Sequence, residues 1–214
     1  FFLYIHNLFL YLSIDDKKDH MEVMLLNDLD FAGWELRKTL KLFRKSNPPL
    51  LEWLRSPLIY LEQYSTAEKM RELTKYYFNP KSCTYHYLHM AKGNYRDYLQ
   101  TDLVRVKKYF YVLRPILACK WIESMGTMAP MEFEKLVNTQ IENPELKKEI
   151  EKLLERKKSG EELDKEPRIG IINEFVEKQI EYFEKKVEDY NKNFKPETEK
   201  LDKLFRETLN EVWK

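Results

Sequence analysis

Apolar positions along this chain follow a period near two at its start and a period near 3.6 afterwards, so strands are expected first and helices after them. Residues 2–6 (FLYIH) and 9–14 (FLYLSI) are rich in Phe, Leu, Tyr and Ile and are parted at His6-Asn7, which predicts two short strands. Residues 20–26 (HMEVMLL) alternate around Glu22 after a charged turn and predict a third. Three such strands cannot cover a core by themselves, so they are expected to belong to a larger sheet. From Asp28 the spacing is helical: Leu29, Leu36, Leu40 and Phe43 share a face, with Asp28 or Asp30 as N-cap.

That first helix must end at Ser46-Asn47-Pro48-Pro49, because a residue before proline avoids helical geometry and proline suits the first turn of a new helix, here 49–55. Ser65 with Glu68 reads as a capping box for a helix reaching about Phe78. Further helices are expected at 80–99 and 102–124, the second with Val106, Phe110, Leu113 and Leu117 inward and with Pro115 as a kink or break. A short helix follows Pro130, and another runs from Asn143-Pro144-Glu145 to about Lys158. After the polar stretch 157–167, helices at 170–190 and 197–213 are expected to form an antiparallel hairpin turning at Asn193 to Pro196. The fold class is α+β, predominantly α. Its expected parts are sheet strands in 1–27, a helical nucleotide- or acceptor-binding region in 28–125, and a charged helical region in 126–214.

Composition narrows the chemistry. With 43% apolar and 14% aromatic residues the chain can bury a core, and with five glycines it offers no phosphate-binding loop of the P-loop or dinucleotide kind. Cys83 and Cys119 have no metal-ligand spacing, which points to a reducing, cytoplasmic setting. The apolar opening is shorter than the roughly 20 residues of a membrane-spanning helix, and no membrane association is expected. A start at Phe1-Phe2, inside an apolar run and without Met, reads as a cut from a longer sequence. The formal charge of +1 conceals an asymmetry: residues 1–125 hold 19 Lys/Arg against 14 Asp/Glu, and residues 126–214 hold 18 against 22. An anionic ligand is expected at the first part.

Several side chains are candidates for function, each with a plain alternative. Cys83, His86 and His89 fall on one predicted helix among tyrosines, where a structural or surface role outweighs a zinc site. Arg37, Lys38, Lys41, Arg44 and Lys45 give a basic helix face that is either solvated or, if packed beside Lys107, Lys108 and Arg114, a polyphosphate cleft. Glu22 in an apolar strand is either a solvent-facing position or a carboxylate with a partner or a metal. Asn47 and Glu52 read as structural parts of the corner.

With these residues in hand, the chain resembles the nucleotidyltransferases of the DNA polymerase β superfamily, in particular the RNA-ligase-associated group. The likeness lies in FLYIH, YLSI, GWELRKTLKLFRKSNPPLLEWLRSPLIY, YRDYL and KKYFYVLRPILACKWI, over about residues 2–125, and more loosely in LLERKKSGEEL. It implies transfer of a nucleotidyl group from an NTP to a hydroxyl on RNA, a protein or a small molecule, with two Mg²⁺ ions about 3.5–4 Å apart. In that family a Gly-Ser turn and two aspartates hold the metals, with a third carboxylate from a later strand. The resemblance gives that third place to Glu22, as metal ligand and catalytic residue. It makes Lys38, Lys107, Lys108, Tyr109 and Arg114 the triphosphate and base contacts. The Gly-Ser turn and aspartate pair have no counterpart here, and the sequence opens where the stretch after them is expected, so the chain reads as incomplete. Two other readings stay open. One is a non-catalytic interaction protein or antitoxin-like partner of a nucleotide-modifying system, using the charged C-terminal helices. The other is RNA binding by the basic half.

Overall fold

In a computed structural model, residues 2–24, 30–160, 165–190, 194 and 196–214 are described. They form an α+β protein dominated by helices, in two compact units: residues 1–78 with 194–214, and residues 79–193. The expected boundaries after residues 27 and 125 therefore fall inside units rather than between them.

The first unit holds a three-stranded sheet of β1 (Phe2–Tyr4), β2 (His20–Met24) and β3 (Asp30–Glu35), in the order β1-β3-β2. β1 runs parallel to β3 with Tyr4 beside Glu35, and β2 runs antiparallel with Glu22 beside Ala32. Alternation then puts Glu22, Ala32 and Trp34 on one face, and Tyr4, Gly33 and Glu35 on the other. Gly33 is required by a close approach: a Cβ there would stand 2.4 Å from the Phe2 ring.

Three expectations are corrected in this region. Residues 9–14 are not a strand: Leu8–Leu12 form a 3-10 helix, because the Asn7 side chain accepts from the Phe9 N–H at 3.0 Å and starts a turn. Residues 30–35 are not the start of the helix: they are the central strand, hydrogen-bonded on both sides, and the helix α1 (Leu36–Arg44) begins after them. Its cap is Glu35, whose carboxylate accepts from the Lys38 N–H at 3.1 Å. The remaining parts of those readings, at 25–29, lie outside the described residues.

α1 stops where expected. Ser46 is buried at φ 57°, and Asn47 Oδ1 accepts from the Leu50 N–H at 3.2 Å to cap α2 (Pro48–Leu54). Leu36, Leu40 and Phe43 of α1 pack with Leu50, Leu51, Met70 and Tyr77, all buried, and each such side chain contributes about 1.5–3 kcal/mol. α3 (Thr66–Tyr77) lacks the expected capping box. The Ser65 hydroxyl donates to Glu211 at 2.6 Å instead, in the last helix, α9 (Glu199–Val212). A second and a third link, Thr66 to Thr208 at 3.0 Å and Lys69 to Glu207 at 2.9 Å, continue that seam. Arg44 reaches Thr198 at 2.9 Å. α9 is thus spent on the first unit, with Leu201, Leu204 and Leu209 buried.

The second unit comprises α4 (Pro80–Tyr98), β4 (Leu103–Arg105), α5 (Lys108–Met125), α6 (Phe133–Gln140), α7 (Pro144–Lys158), β5 (Lys165–Pro167) and α8 (Gly170–Asp189). α5 is its centre, buried from Tyr109 through Cys119 at all but Tyr111 and Arg114, and it continues through Pro115. α4, α6 and α8 pack around it. The pair β4–β5 was not anticipated, since three-residue strands leave too little alternation to read. Of the last two helices, expected to form a hairpin, α8 belongs to this unit and α9 to the other. Part of its expected turn, residues 191–193 and 195, lies outside the described residues.

Candidate functional site

Glu22 sits on the edge strand β2, exposed, facing the same side as Asp30, two residues along the ladder from its partner Ala32. Among the described residues no group of three or more His, Cys, Asp or Glu side chains lies close enough to hold a metal ion. Glu22 supplies one ligand at most, and the described residues do not complete a Mg²⁺ site. Cys83 is buried, and the His89 ring packs on Tyr85 with centroids 4.3 Å apart.

Lys38 lies in the first unit on α1, and its ammonium donates to Asp19 at 2.9 Å. This contact, with His20 after it, holds the Asp19 carboxyl below its ordinary range. The rest of the basic face is partly committed. Arg37 lies over the rings of Tyr11 and Phe205 at 5.0 and 5.6 Å, Arg44 is bound to Thr198, and Lys41 and Lys45 are exposed.

Lys107, Lys108, Tyr109 and Arg114 belong to the second unit, so the sequence-based candidates divide between the units. Lys107 occupies the N-cap of α5 and is exposed. Lys108 is half-buried, with its ammonium over the rings of Tyr98 at 4.0 Å and Tyr111 at 4.6 Å. Arg114 is half-buried one helical turn and a half further on. Tyr109 differs in kind. It is fully buried, its hydroxyl donates to Asn173 Oδ1 at 2.7 Å and accepts from the Ile169 N–H at 2.8 Å, and burial pushes its pKa up. It has no surface on which a base can stack, and its role is to tie α5 to α8.

Sequence reasoning passed over Glu35 and Tyr11. Glu35 is buried at the end of the central strand, accepts from the Tyr11 hydroxyl at 2.5 Å and caps α1. The available signal was a carboxylate directly after Trp34 in an apolar stretch; it was masked by reading the stretch as helix.

Comparisons with known proteins agree on ancestry. A profile for the RNA repair pathway DNA polymerase beta family matches residues 1–207. The uncharacterized protein YcgL of Bacillus subtilis strain 168 is 50% identical over 213 residues, covering 100% of this chain and 82% of that protein. No solved structure matches. No helix among the described residues is long and apolar enough to cross a membrane.

Proposed function

The chain belongs to the RNA repair pathway DNA polymerase beta family, and on that premise we propose that it serves nucleotidyl transfer from a nucleoside triphosphate to a hydroxyl acceptor. The family match across 1–207, which takes in the sheet and every helix up to α9, carries this reading. The family description supports an RNA hydroxyl as the acceptor.

In the proposed reaction the acceptor oxygen attacks the α-phosphorus, the bond to the bridging oxygen breaks, and pyrophosphate leaves with the negative charge while the hydroxyl proton is lost to solvent. Mg²⁺ would supply charge neutralisation at the phosphates, with Glu22 the one residue of this chain proposed to hold it. Within this chain the residues bind and orient. Lys107, Lys108 and Arg114 are the proposed triphosphate contacts, all in the second unit. In the first unit, taken by itself, Lys38 is a proposed phosphate contact and Glu22 a proposed metal ligand. Lys108 suits the role because its ammonium is already fixed between two rings, so little side-chain freedom is lost on binding.

The reading is tested with the intact protein by equilibrium binding of fluorescent ATP and by transfer of a labelled nucleotide onto RNA. Lys108→Ala is expected to weaken ATP binding about tenfold or more, the loss of one charge-assisted contact. Unchanged affinity in that variant removes Lys108 from the site, and absence of both binding and transfer overturns the proposed function.

A further inference from the structure

Arg105 and Lys165 stand directly opposite each other across the β4–β5 ladder, both exposed. Opposed residues in an antiparallel pair hold their Cβ atoms about 4.5–5.5 Å apart, where like charges repel. Neither side chain makes an ion pair among the described residues. The carboxylate of this ladder, Glu166, is paired with Val104, so it points to the other face, and Arg156 holds it at 3.1 Å. Asp102 is the one carboxylate between 98 and 111, and it meets the ladder through its carbonyl oxygen, which accepts from the Arg168 N–H at 2.9 Å.

The start of α5, two residues beyond Arg105, has the same character. Lys107 and Lys108 occupy its first positions, with no acidic residue in the first turn and no side-chain cap. A helix N-terminus favours anions, so cations there are unfavourable for the protein alone. Both features become favourable when an anionic strand lies along them. Beside them Tyr98 and Tyr111 are 36% and 55% exposed, and flank the Lys108 ammonium. Cations interleaved with exposed rings are the means by which proteins hold single strands, with phosphates on the charges and bases on the rings. A mononucleotide brings one base, whereas two exposed rings are presented here.

We propose that this surface of the second unit binds single-stranded RNA, with its phosphates on Arg105 and Lys165 and a base on the open side of Tyr111. The inference rests on the transferase reading and deepens it by naming the acceptor's seat.

The test measures binding of a fluorescent single-stranded RNA of about 12 nucleotides, a length that exceeds most single-module sites, and of fluorescent ATP, to the same preparations. Tyr111→Ala is expected to weaken RNA binding roughly five- to a hundredfold, the range for one lost base stack. Arg105→Ala with Lys165→Ala is expected to lower the slope of log affinity against log salt by about 1.4. Lys165→Glu is expected to lose RNA while raising the thermal midpoint by about 1–4 °C, since it replaces a repulsive pair with an attractive one. ATP affinity stays unchanged in the variants at Arg105 and Lys165, which touch none of the proposed triphosphate contacts; Tyr111→Ala removes one of the two rings around the Lys108 ammonium and is expected to weaken ATP as well. Unaltered RNA affinity in these variants overturns the assignment, as does ATP affinity that falls in step with RNA affinity in the Arg105 and Lys165 variants. Equal affinity for DNA of the same sequence overturns RNA as the partner. Loss of ATP binding in the unsubstituted protein, with RNA binding still lost in the variants, sinks the transferase reading and leaves this surface standing.

Discussion

The Tyr11 hydroxyl donates to the buried carboxylate of Glu35 at 2.5 Å, and so fastens the 3-10 helix to the one acid that caps α1 from the central strand. The same hydroxyl accepts from the His6 N–H at 3.2 Å. Tyr11→Phe is expected to lower stability by about 1–2 kcal/mol, because it leaves a buried carboxylate one donor short. Glu35→Ala is expected to cost about 1 kcal/mol more, through the lost cap. Urea unfolding checks both, as a lower midpoint at an unchanged slope.

Gly33 sits under the Phe2 ring, where a Cβ would approach ring carbons to 2.4 Å. Gly33→Ala is expected to push β1 away from β3 at a cost of roughly 1–3 kcal/mol. In the double variant with Phe2→Leu the two effects are expected to be less than additive, since the smaller side chain vacates the space. Additive losses in chemical denaturation count against the close approach.

In the second unit, Asn173 is buried and joins three elements: it accepts from Tyr109 and its Nδ2 donates to the Leu99 carbonyl at 2.8 Å. Asn173→Leu keeps the volume but strands a buried hydroxyl and a buried carbonyl. The expected loss is roughly 2–3 kcal/mol. Slower hydrogen exchange of the α8 amides in the variant than in the unsubstituted protein would contradict it.

Acid is expected to loosen the seam between α3 and α9. The Lys69 contact holds Glu207, and the Ser65 hydroxyl and N–H hold Glu211, below the ordinary carboxylate value of 4.5. A depressed value in the folded state means that the stabilisation is complete above that value and is lost as pH falls through the depressed one. Thermal midpoints followed from pH 7 to pH 3 are expected to fall mainly below about pH 4.5. Glu211→Gln is expected to make that fall shallower. Glu211 is exposed and Glu207 half-buried at the surface, so added salt is expected to reduce the effect.

The helices were legible wherever the chain carries its own start and stop signals. Asn47-Pro48, Asn79-Pro80 and Asn143-Pro144 each place a capping amide before proline, and α2, α4 and α7 begin at those prolines. The α+β class and the family resemblance also came from the sequence, the latter from the SNPPLLEWL and KKYFYVLRP runs, and the family match confirms it. The candidate site was less legible. Tyr109 looked like one more member of an aromatic and cationic run, and only burial against Asn173 removes it from the surface. The opposed cations Arg105 and Lys165 are separated by some sixty positions, and no local pattern pairs them.

Local chemistry thus determined where helices begin and end, because caps and prolines act over three or four residues. Tertiary structure decided the rest. Residues 30–35 became a strand because β1 and β2 supply partners on both edges, overriding a helical reading of the same residues. Ser65 caps nothing because its backbone is helical rather than extended, and its hydroxyl is directed to Glu211, distant in sequence, as a donor. Pairings of that kind depend on which segments meet in space, and sequence spacing alone does not carry that information.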